Sequence, residues 1–226
     1  FLAYLVRKWL GRDKTVAVTV VSPLVSRGEK EEAVRLAGLA DIRHEIIDFN
    51  PLNIPEVAGN NPSRCYHCKK EIFNLIRSKV LDLGFSNIAD GTNADDLNED
   101  RPGLKALREA GIRSPLAEAG LTKKEIRLIS REMSLPTADK PSSPCLATRF
   151  PYNSGITIER IEMVDRLESI VKKMGFRDVR ARHLGQSASI EVKKEQVQRL
   201  MDKNIQAKLE AEGKQLGFQS VTIDPR

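Results

Sequence analysis

Apolar positions at Leu2, Leu5, Val6, Trp9 and Leu10 recur with the i, i+3, i+4 spacing of a helix that buries one face, and Gly11 supplies its stop. Thr15-Val-Ala-Val-Thr-Val-Val-Ser22 is an almost unbroken β-branched run, which predicts a strand buried on both faces. The alternation continues with a helix over Glu29–Leu39, a strand over residues 43–49, and a loop rich in Pro and Asn over residues 50–64. Residues 68–83 place Ile72, Phe73, Ile76, Val80 and Leu83 on one helical face, closed by Gly84, and residues 87–90 read as a short strand. Two further helices are predicted over residues 105–110 and 122–133. The second is opened by Thr122 with Glu125 three residues on, the pattern of a capping box. Strands alternating with helices predict an α/β fold with a parallel sheet covered on both faces.

The pattern then changes. Pro136, Pro141, Pro144 and Pro151 punctuate a stretch rich in Ser and Thr, which reads as a linker or an active-site loop. Beyond it, residues 157–174 predict a helix, 178–183 and 188–192 two short strands, 194–216 a helix and 220–223 a last strand. The chain is therefore expected to divide into residues 1–150 and a smaller α+β domain, residues 151–226, of αββαβ order. No internal repeat and no low-complexity tract interrupts either part.

Composition narrows the function classes. The chain has 226 residues, 40% of them apolar and 30% charged, a globular balance, and no apolar run approaches a membrane-spanning length. A net charge of +6 suits anionic partners such as nucleotides, phosphates or RNA. Aromatic residues at 5% are too few for a base-stacking platform, so a nucleic-acid partner is not expected. Three cysteines, an odd number, argue against a closed disulfide framework and for an intracellular, cytoplasmic protein. The first residue is not Met and the helix it opens has no capping residue, so further residues are expected upstream. Arg7 and Lys8 interrupt the apolar run and no small-residue cleavage site follows, so this stretch is not expected to be a signal peptide.

Cys65-Tyr-His-Cys68 stands at the mouth of a helix, where thiolate character is favoured, and Cys145 lies in the Pro-rich loop. Four readings are compatible with these thiols: unrelated cysteines, a zinc site that includes His67, a thioredoxin-like redox pair, and a three-Cys iron–sulfur cluster with one open iron. Asp90-Gly-Thr-Asn-Ala-Asp-Asp-Leu-Asn-Glu-Asp100 ends a predicted strand with five carboxylates and no base. It reads either as a solvated loop or as a turn that holds Mg²⁺ against a nucleotide's phosphates, with Arg101 following to meet an anion. Arg149 stands just beyond Cys145. Arg180 and Arg182 alternate on one strand and so share a face, which points to phosphate or carboxylate binding, with Glu168 and Glu191 as alternative partners. His44 and His183 carry no further motif and are expected to be structural.

Arg64-Cys-Tyr-His-Cys-Lys-Lys70, Asp90-Gly-Thr-Asn93, Arg101-Pro-Gly-Leu-Lys105, Pro144-Cys-Leu-Ala-Thr-Arg-Phe-Pro-Tyr152 and Val179-Arg-Ala-Arg182 together resemble the LarE family, in order and over essentially the whole chain. These are ATP-dependent sulfur transferases of the PP-loop pyrophosphatase superfamily. The resemblance implies a PP-loop domain in residues 1–150 and a substrate-binding and oligomerisation domain in 151–226. It also implies activity in nickel-pincer nucleotide cofactor biosynthesis. ATP with Mg²⁺ adenylates a carboxylate of pyridinium-3,5-biscarboxylic acid mononucleotide, and sulfur then gives a thiocarboxylate.

With all three thiols present, the chain is similar to the branch in which Cys65, Cys68 and Cys145 hold a 4Fe-4S cluster and Cys145 is not consumed. The resemblance further assigns Asp90, Gly91, Thr92 and Arg149 to ATP, and Glu168, Arg180 and Arg182 to the phosphorylated substrate. Cys145, Arg182 and Glu191 take the catalytic roles, and a homo-oligomer is implied. The superfamily's Ser-Gly-Gly-x-Asp-Ser pyrophosphate loop is absent from these 226 residues and is expected upstream of the first helix. Two other functions remain compatible with the motifs, a PP-loop tRNA thiolase and a non-catalytic zinc-binding scaffold.

Overall fold

A computed structural model describes residues 1–98 and 102–225, and places them in two compact units. The first unit comprises Phe1–Ser22, Gly28–Val57 and Ser63–Ser142; the second comprises Pro23–Arg27, Ala58–Pro62 and Ser143–Arg226. Glu99, Asp100 and Arg101, at the end of the acidic turn, lie outside the described residues. Among the described residues no helix is long and apolar enough to cross a membrane.

The first unit has the mixed α/β character that the alternating pattern predicts. Its elements are α1 (Leu2–Leu10), β1 (Val16–Val21), α2 (Glu29–Leu39), β2 (Arg43–Asp48), α3 (Pro55–Ala58), α4 (Arg64–Asp82), α5 (Pro102–Glu109), α6 (Pro115–Glu118) and α7 (Lys123–Glu132). β1 and β2 pair in parallel, from Val16 opposite Arg43 to Val21 opposite Asp48. Gly28, whose φ of 84° only glycine adopts without strain, stands at the N-cap of α2, whose first turn carries Glu29, Glu31 and Glu32 at the positive end of the helix dipole. α7 has the full capping box: the Thr122 hydroxyl accepts from Glu125 N, and Glu125 accepts from Thr122 N.

Three local expectations are corrected in this unit. The strand expected at residues 87–90 is only an isolated parallel bridge between Ala89 and Arg113. Its partner stretch lies between Gly111, with φ of 63°, and Pro115, which leaves too few extended residues for a ladder. The helix expected from residue 68 starts at Arg64, directly after Pro62 and Ser63, so both cysteines of the pair lie inside it. Residues 50–64 are not all loop. Asn50 caps a 3-10 turn at Pro51–Asn53, and α3 follows.

The second unit has elements α8 (Ile158–Lys173), β3 (Arg180–Leu184), β4 (Ser187–Val192), α9 (Lys194–Leu200), α10 (Lys203–Gln215) and β5 (Ser220–Pro225). A three-stranded sheet runs β3-β4-β5, antiparallel between β3 and β4 and parallel between β4 and β5. α8 turns Ile161, Val164, Leu167 and Val171 inward, where Ala181, Ile190, Val192, Leu200 and Leu209 are among the apolar residues buried with them. The single helix expected over 194–216 is two helices. Asp202 breaks it by accepting from Asn204 N and Ile205 N, the bonds of an N-cap.

Candidate functional site

In the first unit, α4 fixes the cysteine pair. Cys65 and Cys68 are three residues apart on the helix and so lie on neighbouring positions of one face, Cys65 exposed and Cys68 half-buried. The residues between them anchor the helix. Tyr66 packs on the core of Phe73, Ala106, Leu107 and Ile112. Its hydroxyl donates to Glu109 Oε2 at 2.6 Å, which pushes the phenol pKa up. The Lys105 and Lys70 ammoniums lie over its ring, 5.4 and 6.0 Å from the centroid. His67 meets the same ring edge-on at 5.2 Å. Gly103 on α5 lets the Lys69 stem lie against the backbone, since a Cβ there would come within 2.7 Å of Lys69 Cδ. Among the described residues of this unit, no set of three His, Cys, Asp or Glu side chains is gathered to hold a metal.

The acidic turn is internally bonded. Asp90 Oδ1 accepts from Ser114 Oγ at 2.7 Å and Thr92 N at 3.2 Å, while Oδ2 accepts from Thr92 Oγ1 at 2.6 Å. Asn93 donates to Asp96, and Asp95 accepts from Lys123 N at 2.8 Å, at the start of α7. Thr92 and Asn93 are thereby buried, and Gly91 faces open space. Asp90 acts as the frame of the turn, leaving the backbone at Gly91 accessible.

In the second unit, Cys145, Arg149, Glu168, Arg182 and Glu191 are linked through one short turn. Cys145 caps a 3-10 helix at Leu146–Arg149, and its carbonyl accepts from Thr148 N at 3.0 Å and Thr148 Oγ1 at 2.8 Å. Leu146 is fully buried and its N–H donates to Leu24 O at 2.9 Å, so the turn is pinned from below while Cys145 stays exposed. Arg149 points inward, donating Nε to Glu168 Oε1 at 2.5 Å and Nη1 to Thr148 Oγ1 at 2.8 Å. Glu168 also accepts from Ala181 N at 3.1 Å and from Lys172 Nζ at 3.3 Å. Its carboxylate is therefore filled by α8, β3 and the turn, and it bears on the site through Arg149.

Arg180 and Arg182 share the half-exposed face of β3, as their alternation predicts, with Ala181 and His183 buried on the other. Arg182 pairs side-on with Glu191, Nε to Oε1 at 2.5 Å and Nη2 to Oε2 at 3.2 Å, and donates Nη1 to Thr148 O at 2.5 Å. Glu191 stands opposite Arg180 in the β3–β4 register. Thr148 thus joins the Cys145 turn to both Arg–Glu pairs. Sequence reasoning gave it no role, because its signal is only its place in the Cys-Leu-Ala-Thr-Arg block. His183 stacks on Phe150 at 5.3 Å and meets Phe218 edge-on, and burial together with the Arg160 charge holds its pKa below the usual histidine range.

The chemistry on offer is a pair of soft thiols on one helix, an exposed thiol on a pinned turn, and guanidiniums beside that turn that can meet an anion. No protein-family model matches the chain. An uncharacterized protein of Synechocystis is 39% identical over 215 residues, 95% of this chain and 80% of its own length. The pyridinium-3,5-bisthiocarboxylic acid mononucleotide synthase of Lactiplantibacillus plantarum is 31% identical over 217 residues, 95% of this chain and 77% of its own. An uncharacterized protein of Methanocaldococcus jannaschii is 32% identical over 179 residues, 79% of this chain and 68% of its own.

Proposed function

The chain belongs to the LarE family, that of the pyridinium-3,5-bisthiocarboxylic acid mononucleotide synthase, and on that premise we propose that it is an ATP-dependent sulfur transferase of the PP-loop type acting on pyridinium-3,5-biscarboxylic acid mononucleotide in nickel-pincer cofactor biosynthesis. The observation that carries the reading is Arg182, whose guanidinium binds Glu191 side-on and the Thr148 carbonyl in the turn that the exposed Cys145 opens. In this reading residues 1–150 take ATP with Mg²⁺ at the Asp90-Gly91-Thr92 turn. Residues 151–226 hold the substrate and the contacts of a cytoplasmic homo-oligomer.

A carboxylate resists substitution because oxide is a poor leaving group. Attack of a substrate carboxylate oxygen on the α-phosphorus of ATP breaks the bond to the β-phosphate, releases pyrophosphate and leaves an acyl adenylate. A sulfur nucleophile then displaces AMP, which departs with the former carboxylate oxygen, and a thiocarboxylate results. Arg180 and Arg182 hold the substrate's phosphate, and Glu191 keeps the Arg182 fork aimed. Arg149, at the end of the turn, is oriented by Glu168. Cys65, Cys68 and Cys145 would hold a 4Fe-4S cluster, and this soft, all-thiol donor set fits iron–sulfur ligation. When bound, that cluster supplies transferable sulfide at an open iron.

The test is pyrophosphate release by anaerobically purified protein with ATP and Mg²⁺. Release that requires the pyridinium dicarboxylate mononucleotide supports the reading. Release driven by tRNA instead, with tight salt-sensitive tRNA binding, points to a tRNA thiolase. Stoichiometric zinc with no pyrophosphate release points to a scaffold.

A further inference from the structure

Asn60 is fully buried and has no part in the reaction as derived above. Its carboxamide Nδ2 donates to two successive carbonyls, Phe150 O at 3.1 Å and Pro151 O at 2.7 Å. Its own carbonyl accepts from Asn153 N at 3.0 Å, and Ala58 O accepts from Ile156 N at 2.7 Å. Residues 58–60 are thus laced to residues 150–156, all within the second unit. The carboxamide Oδ1 is buried without a hydrogen-bond partner, so the side chain works wholly as a donor.

The residue type follows from this geometry. Two neighbouring carbonyls that converge on one point need two N–H groups on one small nitrogen, which the Asn amide supplies. Aspartate would set an acceptor against two acceptors, and an apolar residue would leave both carbonyls dry and unmet. Asn60 has φ of 53°, a left-handed conformation that Asn tolerates better than most side chains.

The two laced stretches are the ones that lead to the cysteines. Phe150 closes the 3-10 turn that Cys145 opens, and the chain runs on from Asn60 into α4, where Cys65 and Cys68 lie. We propose that Asn60 is a positioning residue for sulfur transfer: its two donors hold the Cys145 turn against the stretch of chain that enters the Cys65–Cys68 helix. This rests on the sulfur-transfer reading above.

The experiment compares wild type with Asn60→Gly, which keeps the left-handed backbone and removes the carboxamide. Hydrogen exchange is followed in metal-free protein, and thiolation of the mononucleotide in iron-reconstituted protein. Amides of Leu146–Arg149 and Phe150 are expected to exchange about tenfold faster in the variant while β3 and β4 are unchanged. Thiolation kcat is expected to fall about tenfold with KM unchanged, a split that a general loss of stability would not give. Unchanged exchange in the turn overturns the proposal, and so does faster exchange with unchanged kcat. Absence of thiocarboxylate from wild type would refute the sulfur-transfer reading, and the exchange comparison would still decide whether Asn60 holds the turn. If Asn60→Gly does not fold, Asn60→Ser, which keeps one donor, serves in both arms.

Discussion

Arg149, the last residue of the Cys145 turn, and Glu168 form a buried ion pair, with Nε to Oε1 at 2.5 Å and side chains 3% and 1% exposed. A charge so far from water is stable only while every partner remains. Glu168 therefore serves two links of the chain at once, since it neutralises Arg149 at the end of the turn and accepts from Ala181 N in β3.

Glu168→Ala leaves the Arg149 guanidinium buried and uncompensated. Unfolding free energy is expected to drop by about 3–5 kcal/mol, read from denaturant melts. Glu168→Gln keeps the volume and part of the bonding, and is expected to lose less. Equal losses in the two variants would show that packing, not charge, matters here.

Arg182→Lys keeps the charge and loses the fork. A lysine cannot meet both Glu191 oxygens and the Thr148 carbonyl together. Affinity for the phosphorylated mononucleotide, measured by calorimetry, is expected to weaken about 10- to 100-fold, with stability changed little because the side chain is only half-buried. Wild-type affinity in the variant would remove Arg182 from substrate binding.

Cys65→Ser and Cys145→Ser alter exposed side chains, so melting is expected to shift by no more than about 0.5 kcal/mol. Iron and sulfide retained after anaerobic reconstitution are expected to be lost in each, and in Cys68→Ser. A full complement of iron in Cys145→Ser would take that residue out of the ligand set.

His183 gives a pH dependence of stability with a definite sign. Burial and Arg160 depress its pKa in the fold, so the neutral ring is favoured there while the unfolded chain takes up a proton at the ordinary value of about 6.5. Its contribution is intact above that value and is lost as pH falls through it toward the folded-state pKa. Denaturant melts from about pH 8 to about pH 5.5 should show wild type losing stability faster than His183→Leu. Parallel slopes would mean that the ring titrates freely between Phe150 and Phe218.

Much of this was legible in the sequence where the information is local. The Thr122–Glu125 box and the Arg180/Arg182 alternation each depend on neighbours a few residues away, and each stands as read, whereas the β-branched run forms β1 as a strand but leaves it half-buried throughout, not buried on both faces. Where the outcome depends on distant partners, the pattern misled. Residues 87–90 lack a partner long enough to form a ladder, while the break at Asp202 is a local N-cap on Asn204 and Ile205 that apolar periodicity alone passes over. Glu168 and Glu191 were equal candidates to pair with the β3 arginines. Only the fold shows that Arg149, 19 residues away in the chain, takes Glu168 and leaves Glu191 to Arg182. Asn60 gave no signal at all, because its value lies in two carbonyls 90 and 91 residues further on.

The most direct test of the central claim is mass spectrometry of the mononucleotide after incubation with iron-reconstituted protein, ATP and Mg²⁺ under anaerobic conditions. The expected product is one in which sulfur has replaced a carboxylate oxygen, formed with one AMP per sulfur and absent without ATP. Substrate recovered unchanged by protein that holds its full iron and sulfide would contradict it.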